Sequence, residues 1–235
     1  FEKYRGLRKL IASYVLPRAD AVRCVSQRLK KQLLNDFGVA PEKITVVPIF
    51  NSLKITNYKL RQKSLTDRFI FLTVGRLVPV KNIGLQIEAM TEITKKYPQA
   101  ELWIVGDGPE REKLKLEIRD WKLEINTKLL GWQKDILSYY AQADVFLLTS
   151  NYEGWGLAVI EAAVAGLPII MTDVGCAGEV IKDGENGMVI SVGDKHKLVE
   201  AMLKIIEDEN FKKKLGENAK LAVSRLPNKE QAVEL

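Results

Sequence analysis

Residues 67–225 are predicted to form an α/β fold, a doubly wound parallel sheet of the Rossmann-like type. Short apolar runs alternate there with amphipathic helical patterns, which is typical of βα units around a buried parallel sheet. The apolar runs are rich in Val, Ile, Leu and Phe, residues that favour buried strands. Six such runs follow one another, and six strands suit a doubly wound sheet.

The predicted strands are short and apolar, and they cover residues 69–74, 101–105, 128–130, 145–149, 168–172 and 188–191. The predicted helices cover residues 81–97, 109–120, 134–142, 156–165, 194–208 and 210–225. Local signals support several of these bounds. Asp194 is a typical N-cap, Pro109 suits a first helical turn, and Gly166-Leu167-Pro168 is typical of a helix end.

The start of the chain shows a smaller pattern, with helices predicted at 3–16 and 27–37 and strands at 21–25 and 44–47. Two strands and two helices make too small a sheet to be stable alone, so we expect them to belong to a larger domain. The chain begins with Phe1 instead of Met, which suggests a fragment. The predicted parts are the remnant of an N-terminal domain (1–50), a polar linker (51–66), the sheet domain (67–225) and a C-terminal tail (226–235).

The net charge of +6 is concentrated at the start of the chain, where residues 1–63 carry 14 Lys and Arg against four Asp and Glu. Such a segment suits a nucleic acid, an anionic membrane face or an anionic ligand, or it forms a solvated helix surface. We expect no nucleic-acid binding, because the sequence has no zinc spacing, recognition-helix module or aromatic-rich RNA signature. Peripheral contact with a membrane stays an open alternative.

Several function classes are excluded by what the sequence lacks. Cys24 and Cys176 are isolated thiols without the density of a disulfide framework or the spacing of a metal site, and a reducing cytoplasm fits them best. No run of about 18 apolar residues is present. The single histidine, His196, lies in a polar stretch and is expected to be exposed. No Ser/His/Asp set, metal cluster, Walker loop or dinucleotide fingerprint can be assembled.

Glycine-containing loops follow four of the predicted strands, at Gly75-Arg76, Gly106-Asp107-Gly108, Gly131-Trp132 and 150–156. Ligands of open α/β sheets bind beyond the carboxyl ends of the strands. A single such loop is explained by the needs of a tight turn, but four loops accompanied by charges favour a binding site. We therefore include Gly75 and Gly106 among the expected ligand contacts.

Two cations and two carboxylates accompany these loops. The heads of Arg76 and Lys81 can converge on a diphosphate, where fixed positive charge would stabilise a departing nucleoside diphosphate. Glu153 and Glu161 flank a glycine-rich helix start, and each can accept hydrogen bonds from sugar hydroxyls.

The helix start between these carboxylates is itself a candidate anion site, because the backbone N–H groups of Trp155, Gly156 and Leu157 can also bind a diphosphate. The helix that carries Glu161 is apolar almost all round. A carboxylate in that position needs a partner.

Taken together, these residues resemble the C-terminal, nucleotide-sugar-binding half of the retaining GT-B glycosyltransferases with a Glu-x7-Glu motif, a large group that includes glycosyl- and mannosyltransferases of cell-surface polysaccharide biosynthesis. Each motif alone is unspecific, but their order is highly specific, and they span nearly the whole chain. They are Ala19-Asp20-Ala21 to Val25-Ser26, Lys43-Ile44-Thr45-Val46-Val47-Pro48, Gly75-Arg76-Leu77 with Lys81-Asn82, Gly106-Asp107-Gly108-Pro109, Glu153-Gly154-Trp155-Gly156-Leu157 with Glu161-Ala162, and Gly166-Leu167-Pro168.

The resemblance implies a role for each charged residue. Arg76 and Lys81 would hold the diphosphate of a UDP- or GDP-sugar, Glu153 the transferred sugar and Glu161 the ribose, so Arg76, Lys81 and Glu153 are the expected catalytic residues. Trp132 would lie near the base, with a buried structural role as an equal alternative. The resemblance also implies transfer with retention, no bound metal or other cofactor, and catalysis mainly by leaving-group stabilisation.

The resemblance has two departures. Pro48-Ile49-Phe50-Asn51-Ser52 stands where the family commonly has Pro-Asn-Gly-Val-Asp. The acceptor-binding N-terminal domain, which would take a saccharide or a lipid-linked acceptor, is expected to precede this chain, so we expect the isolated chain to transfer little. A non-catalytic nucleotide-sugar-binding module would look alike in this half, and an isomerising or hydrolysing enzyme of the same architecture is a third possibility.

Overall fold

The computed structural model describes residues 5–49, 68–227 and 231. These residues fall into two units, the first made of residues 5–49 with 226, 227 and 231, and the second made of residues 68–225. The predicted linker and most of the predicted tail lie outside the described residues.

The first unit contains the two helices and two strands that were predicted for it. Its elements are α1 (Arg5–Val15), β1 (Val22–Cys24), α2 (Gln27–Phe37) and β2 (Ile44–Val46). The two strands pair in parallel. Helix α2 is bounded by local chemistry, since the Ser26 hydroxyl accepts from the N–H of Leu29 and Gly38 ends the helix in the left-handed conformation. Cys24, Val39 and Ile44 form its small core.

The second unit is built on six parallel strands, which confirms the predicted doubly wound sheet. They are β3 (Phe69–Val74), β4 (Ala100–Val105), β5 (Thr127–Gly131), β6 (Val145–Leu148), β7 (Ile169–Thr172) and β8 (Met188–Ile190). Their order in the sheet is β5-β4-β3-β6-β7-β8, and every pairing is parallel. Because the strands are buried on both faces, they appear in the sequence as apolar runs.

Helices follow the strands as predicted. They are α3 (Ile83–Lys96), α4 (Arg111–Asp120), α5 (Leu137–Gln142), α6 (Leu157–Val164), α7 (Lys195–Glu207) and α8 (Glu209–Val223). Asp194 caps α7 by accepting from the N–H of Lys197, and the turn through Gly166 ends α6. Pro109 lies before α4 instead of in its first turn, so that detail of the prediction is wrong. None of the described helices is both long and apolar enough to cross a bilayer.

The helices cover both faces of the sheet. Helix α3 packs against α4 and α7, and α6 packs against α8. For the helices that join successive strands, right-handed crossovers require opposite faces, because the chain moves one way along the sheet from β3 to β5 and the opposite way from β5 to β8. The main core joins the strands to the α3 and α7 side and is formed by fully buried residues such as Phe71, Leu102, Leu147, Ile87, Met90, Leu198 and Met202.

Two helical glycines provide a matched test of this packing. A Cβ on Gly216 in α8 would lie 2.3 Å from the carbonyl oxygen of Gly166, whereas a Cβ on Gly84 in α3 would meet only the end of the Glu117 side chain, at 2.9 Å. We expect Gly216→Ala to lower the free energy of unfolding by about 1–3 kcal/mol through overpacking. Gly84→Ala should be neutral or raise it by up to about 1 kcal/mol, the ordinary helical gain. Urea unfolding of both variants checks this, and equal effects would contradict it.

Candidate functional site

The candidate site lies where the strand order reverses, between β3 and β6. In open α/β sheets a crevice forms at such a reversal, beyond the carboxyl ends of the strands. Arg76 and Lys81 lie in the segment after β3, and Glu153 lies in the segment after β6. The fold therefore brings all three predicted catalytic residues to one place in the sheet.

Lys81 and Glu153 are in direct contact. The Lys81 Nζ lies 2.5 Å from Glu153 Oε1, and the hydroxyl of Ser150 donates to the same oxygen at 2.7 Å. The Lys81 and Glu153 side chains are 26% and 13% exposed, so the pair is mostly shielded but open to a ligand. A turn of 3₁₀ helix at Pro79–Lys81 presents the lysine. Arg76 lies nearby in sequence and is exposed.

Thr149 ties the end of β6 to the turn that carries Lys81. Its hydroxyl lies 3.0 Å from the carbonyl oxygen of Asn82 and 3.3 Å from that of Lys81. It also accepts from Gln86 Nε2 at 2.9 Å, and Thr149 and Gln86 are almost fully buried. The backbone N–H of Asn151 adds a bond of 2.7 Å to the carbonyl of Val80. The bond between Thr149 and Gln86 is almost fully buried, and together these bonds tie the two site segments to each other.

The loops after β3, β4 and β5 contact one another through glycine backbone. Gly75 N donates to the carbonyl of Val105 at 2.9 Å, and Gly106 N donates to that of Gly131 at 2.8 Å. A Cβ on Gly106 would lie 1.9 Å from the oxygen of Gly75, and the residue has φ +135°. Only glycine permits this close approach. The two glycines therefore have a structural role here, and their predicted contact with a ligand stays a prediction.

The start of helix α6 has the geometry of an anion site. Gly156 precedes the helix with φ +90°, and within the described residues the N–H groups of Gly156 and Leu157 pair with no backbone carbonyl. Such orphan donors and the helix dipole favour a negative ligand. Trp155 is 3% exposed, and its Nε1 has no hydrogen-bond partner among the described residues. Its carbonyl accepts from the N–H of Cys176.

Glu161, in α6, has the partner that its apolar helix requires. The phenol of Tyr140, in α5, donates to Glu161 Oε2 at 2.9 Å. Burial raises the pKa of Glu161 above its usual value, and the hydrogen bond from Tyr140 opposes that rise. The same burial, together with the charge of Glu161, raises the pKa of Tyr140 well above its usual value. The phenol therefore keeps its proton and acts as the donor.

Trp132 and Arg111 lie at the carboxyl end of the sheet near β5. Trp132 is 73% exposed, so the alternative of a buried structural role is wrong, while its predicted place near a base stays a prediction. Arg111 Nη1 is buried without a hydrogen-bond partner among the described residues, and it lies 3.6 Å from the position of a Cβ on Gly131. It is a donor whose need for an acceptor is not met by the described residues.

Sequence reasoning missed Ser150, Tyr140 and Arg111. Ser150 directly follows the predicted strand 145–149, and its position at a strand end was a usable signal. No sequence signal marked Tyr140 or Arg111, because each side chain reaches its position only when separate βα units pack together.

The exposed position expected for His196 is confirmed, since its side chain is 81% exposed and contacts Glu200. Among the described residues, no three His, Cys, Asp or Glu side chains form a group that could hold a metal.

A family model described as Glycosyl transferases group 1 matches residues 55–222. The poly(glycerol-phosphate) alpha-glucosyltransferase of Bacillus subtilis (strain 168) is 33% identical over 155 residues, which are 66% of this chain and 23% of that protein. The UDP-Gal:alpha-D-GlcNAc-diphosphoundecaprenol alpha-1,3-galactosyltransferase of Escherichia coli is 32% identical over 197 residues, which are 79% of this chain and 51% of that protein.

The fold of this chain is similar to that of a solved structure. A mutant of S. aureus TarM, in complex with fondaparinux, alpha-GlcNAc-glycerol and UDP, is 25% identical and superposes with a TM-score of 0.84 over 98% of this chain and 45% of that one. Across these three proteins, the chain spans between about a quarter and a half of the length of the relatives that it matches.

The raised pKa of Glu161 predicts a stability cost. A carboxyl whose pKa is higher in the folded chain than its ordinary value of 4.5 binds its proton more tightly in the folded state. The fold therefore loses stability as the pH rises through the range between the two pKa values. We expect Glu161→Gln to raise the Tm of the free chain at pH 8 relative to the wild type. The difference should shrink as pH falls toward 4.5, where the wild-type carboxyl becomes protonated.

Thermal unfolding from pH 4.5 to 8 measures this effect. Glu124→Gln, at an exposed position, is the control and should leave the Tm unchanged at every pH. A lower Tm for Glu161→Gln than for the wild type at pH 8 would contradict the expectation.

Proposed function

Because the chain belongs to the glycosyl transferases group 1 family, we propose that it binds a nucleoside-diphosphate sugar at the crevice between β3 and β6. The observation that carries the proposal is the pairing of Lys81 with Glu153 at the carboxyl ends of these strands, 2.5 Å apart. A cation and a carboxylate held together there suit a ligand that offers both phosphate oxygens and hydroxyls. The N–H groups of Gly156 and Leu157, which bond to no backbone carbonyl in the described part of the chain, add to the phosphate side.

In this proposal, each charged residue has one role. Lys81 and Arg76 bind the diphosphate, Glu153 accepts from hydroxyls of the transferred sugar, and Glu161 accepts from the ribose. Trp132 lies near the base, where its exposed ring is available for stacking. Gly75, Gly106 and the backbone of Trp155, Gly156 and Leu157 complete the set of proposed contacts.

The proposed reaction is transfer of the sugar to an acceptor with retention of configuration. As the bond to the sugar breaks, negative charge grows on the diphosphate oxygens. Fixed cations and N–H donors at those oxygens bind the transition state more strongly than the ground state, and so lower the barrier. Leaving-group stabilisation by Arg76, Lys81 and the helix start is thus the proposed catalytic device, without a bound metal.

Two of the relatives bear on the donor. One is described as using UDP-Gal, and the solved structure contains UDP, so we propose a UDP-sugar as the donor and keep a GDP-sugar as the alternative. The acceptor is proposed to be a saccharide or a lipid-linked saccharide. The basic first segment is the ground for proposing a cytoplasmic protein that contacts the inner face of a membrane.

A thermal-shift panel of UDP-, GDP- and ADP-sugars, with their free diphosphates, tests the proposal. A ligand that binds the folded chain stabilises it by an amount that grows with the logarithm of concentration over Kd, and so raises its Tm. We expect a UDP-sugar to give the largest shift. The absence of a shift with every donor and diphosphate would remove the proposed site.

Transfer and release of sugar are measured with the same donors. In the GT-B family that the sequence resembles, a separate N-terminal domain binds the acceptor. We therefore propose that the 235-residue chain binds the donor but transfers little sugar by itself. Robust transfer by this chain would contradict that proposal. Free sugar released without acceptor would favour a hydrolase, and donor binding without transfer when this chain is joined to an acceptor-binding domain would favour a non-catalytic module.

Arg76→Ala is expected to weaken UDP binding by about 1.5–3 kcal/mol, the usual contribution of a hydrogen bond to a charged group. The matched control is Arg119→Ala. Arg119 is also exposed, but it lies in the last turn of α4, which runs back toward the opposite end of the sheet. Calorimetry of both variants checks the expectation. An affinity of Arg76→Ala equal to that of the control would place Arg76 outside the site.

A further inference from the structure

The phenol of Tyr140 has a defined hydrogen-bonding state. Tyr140 is fully buried, and its raised pKa, caused by burial and then by the charge of Glu161, keeps the proton on the oxygen. That single proton has two acceptors within reach, Glu161 Oε2 at 2.9 Å and the carbonyl oxygen of Ala158 at 3.4 Å. The shorter distance assigns it to Glu161. Tyr140 is therefore a fixed donor to one carboxylate oxygen.

Glu161 depends on this donor. Its helix neighbours Val159, Ile160, Ala162 and Ala163 are buried apolar residues, and no Lys, Arg or His of the described segments lies within ion-pair distance of its carboxylate. Without a hydrogen bond, a half-buried carboxylate would be both poorly solvated and free to rotate. The bond to Oε2 restricts that rotation and leaves Oε1 to accept from another group.

We propose that Tyr140 is a positioning residue for nucleotide recognition: it holds the Glu161 carboxylate so that its second oxygen accepts from the ribose hydroxyls of the donor. This inference rests on the proposed function, in which Glu161 is the ribose ligand. Tyr140 itself does not touch the nucleotide. It determines how strongly the site distinguishes a ribose from a sugar without vicinal hydroxyls.

This role has a signature that a structural role lacks. In the proposed function, Lys81 and Arg76 bind the diphosphate from the segment after β3, and the start of α6 binds it through backbone N–H groups, so loss of the Tyr140 hydroxyl should leave these contacts intact. Only the contribution of the ribose hydroxyls to nucleotide affinity should become smaller. A general packing defect at a fully buried tyrosine would instead weaken every nucleotide alike.

The experiment is calorimetry with the 235-residue chain, UDP and 2′,3′-dideoxy-UDP, or the GDP pair if GDP binds more tightly in the panel. We expect the wild type to prefer UDP by about tenfold, the effect of losing one hydrogen bond to a charged group. Tyr140→Phe should lose most of that preference through weaker UDP binding, while its affinity for the dideoxy nucleotide stays within about twofold.

Tyr139→Phe is the matched control. Tyr139 is the preceding residue of α5, and its ring packs edge-on against Trp103, with centroids 6.0 Å apart. We expect this variant to bind both nucleotides as the wild type does. Glu161→Asp gives a second test that leaves Tyr140 in place, because it keeps the charge but withdraws the carboxylate from the phenol. It too should lose the preference for UDP.

The possible outcomes distinguish a failure of this inference from a failure of the proposed function. The positioning role is overturned if Tyr140→Phe or Glu161→Asp keeps the full preference for UDP over 2′,3′-dideoxy-UDP. It is also overturned if Tyr140→Phe loses affinity for both nucleotides equally. If the wild type binds UDP and its dideoxy form equally, the inference falls but donor binding stands. If the wild type binds neither nucleotide, the proposed function falls as well.

Discussion

The hydrogen bonds of Thr149 join the two halves of the sheet at the place where its strand order reverses. The hydroxyl bonds to backbone at the start of α3 and accepts from Gln86, so the end of β6 is fixed to the turn that follows β3. Crevices at strand reversals exist in all open sheets of this order. Here the buried bond determines which side chains face each other across that crevice, because it sets the distance between the segments of Lys81 and Glu153.

The elements of the sheet domain were predictable because one physical signal dominates them. A strand buried on both faces must be mostly apolar, and β3, β6 and β7 satisfy that requirement most fully, whereas β4 includes Glu101 and the edge strand β5 includes Thr127 and Lys128. Helix ends with characteristic capping residues, such as Asp194 and Gly166, were equally predictable from the sequence. Pro109 was misplaced because a proline at the first turn and one just before the helix give the same sequence pattern.

Contacts within the site were harder to predict, since they depend on packing between distant segments. Lys81 and Glu153 are 72 residues apart, and their sequence positions indicate only that both lie at strand ends. Tyr140 is more difficult still. Its helix is short, and nothing near it in sequence shows that its phenol reaches α6. The open choice for Trp132 had a similar origin, because an aromatic residue after a strand suits a core or a ligand equally well until the fold shows it to be 73% exposed.

The contact between Lys81 and Glu153 also determines what the site can accept. Each charge already satisfies the other, so an incoming ligand must replace both partners at once. An inorganic phosphate would draw the lysine away and leave the mostly buried carboxylate with the Ser150 hydroxyl as its remaining donor, a weaker partner than an ammonium group. A molecule carrying phosphate and hydroxyls on one scaffold exchanges both contacts together. If the proposed function holds, the ion pair would therefore favour a nucleoside-diphosphate sugar over a simple anion.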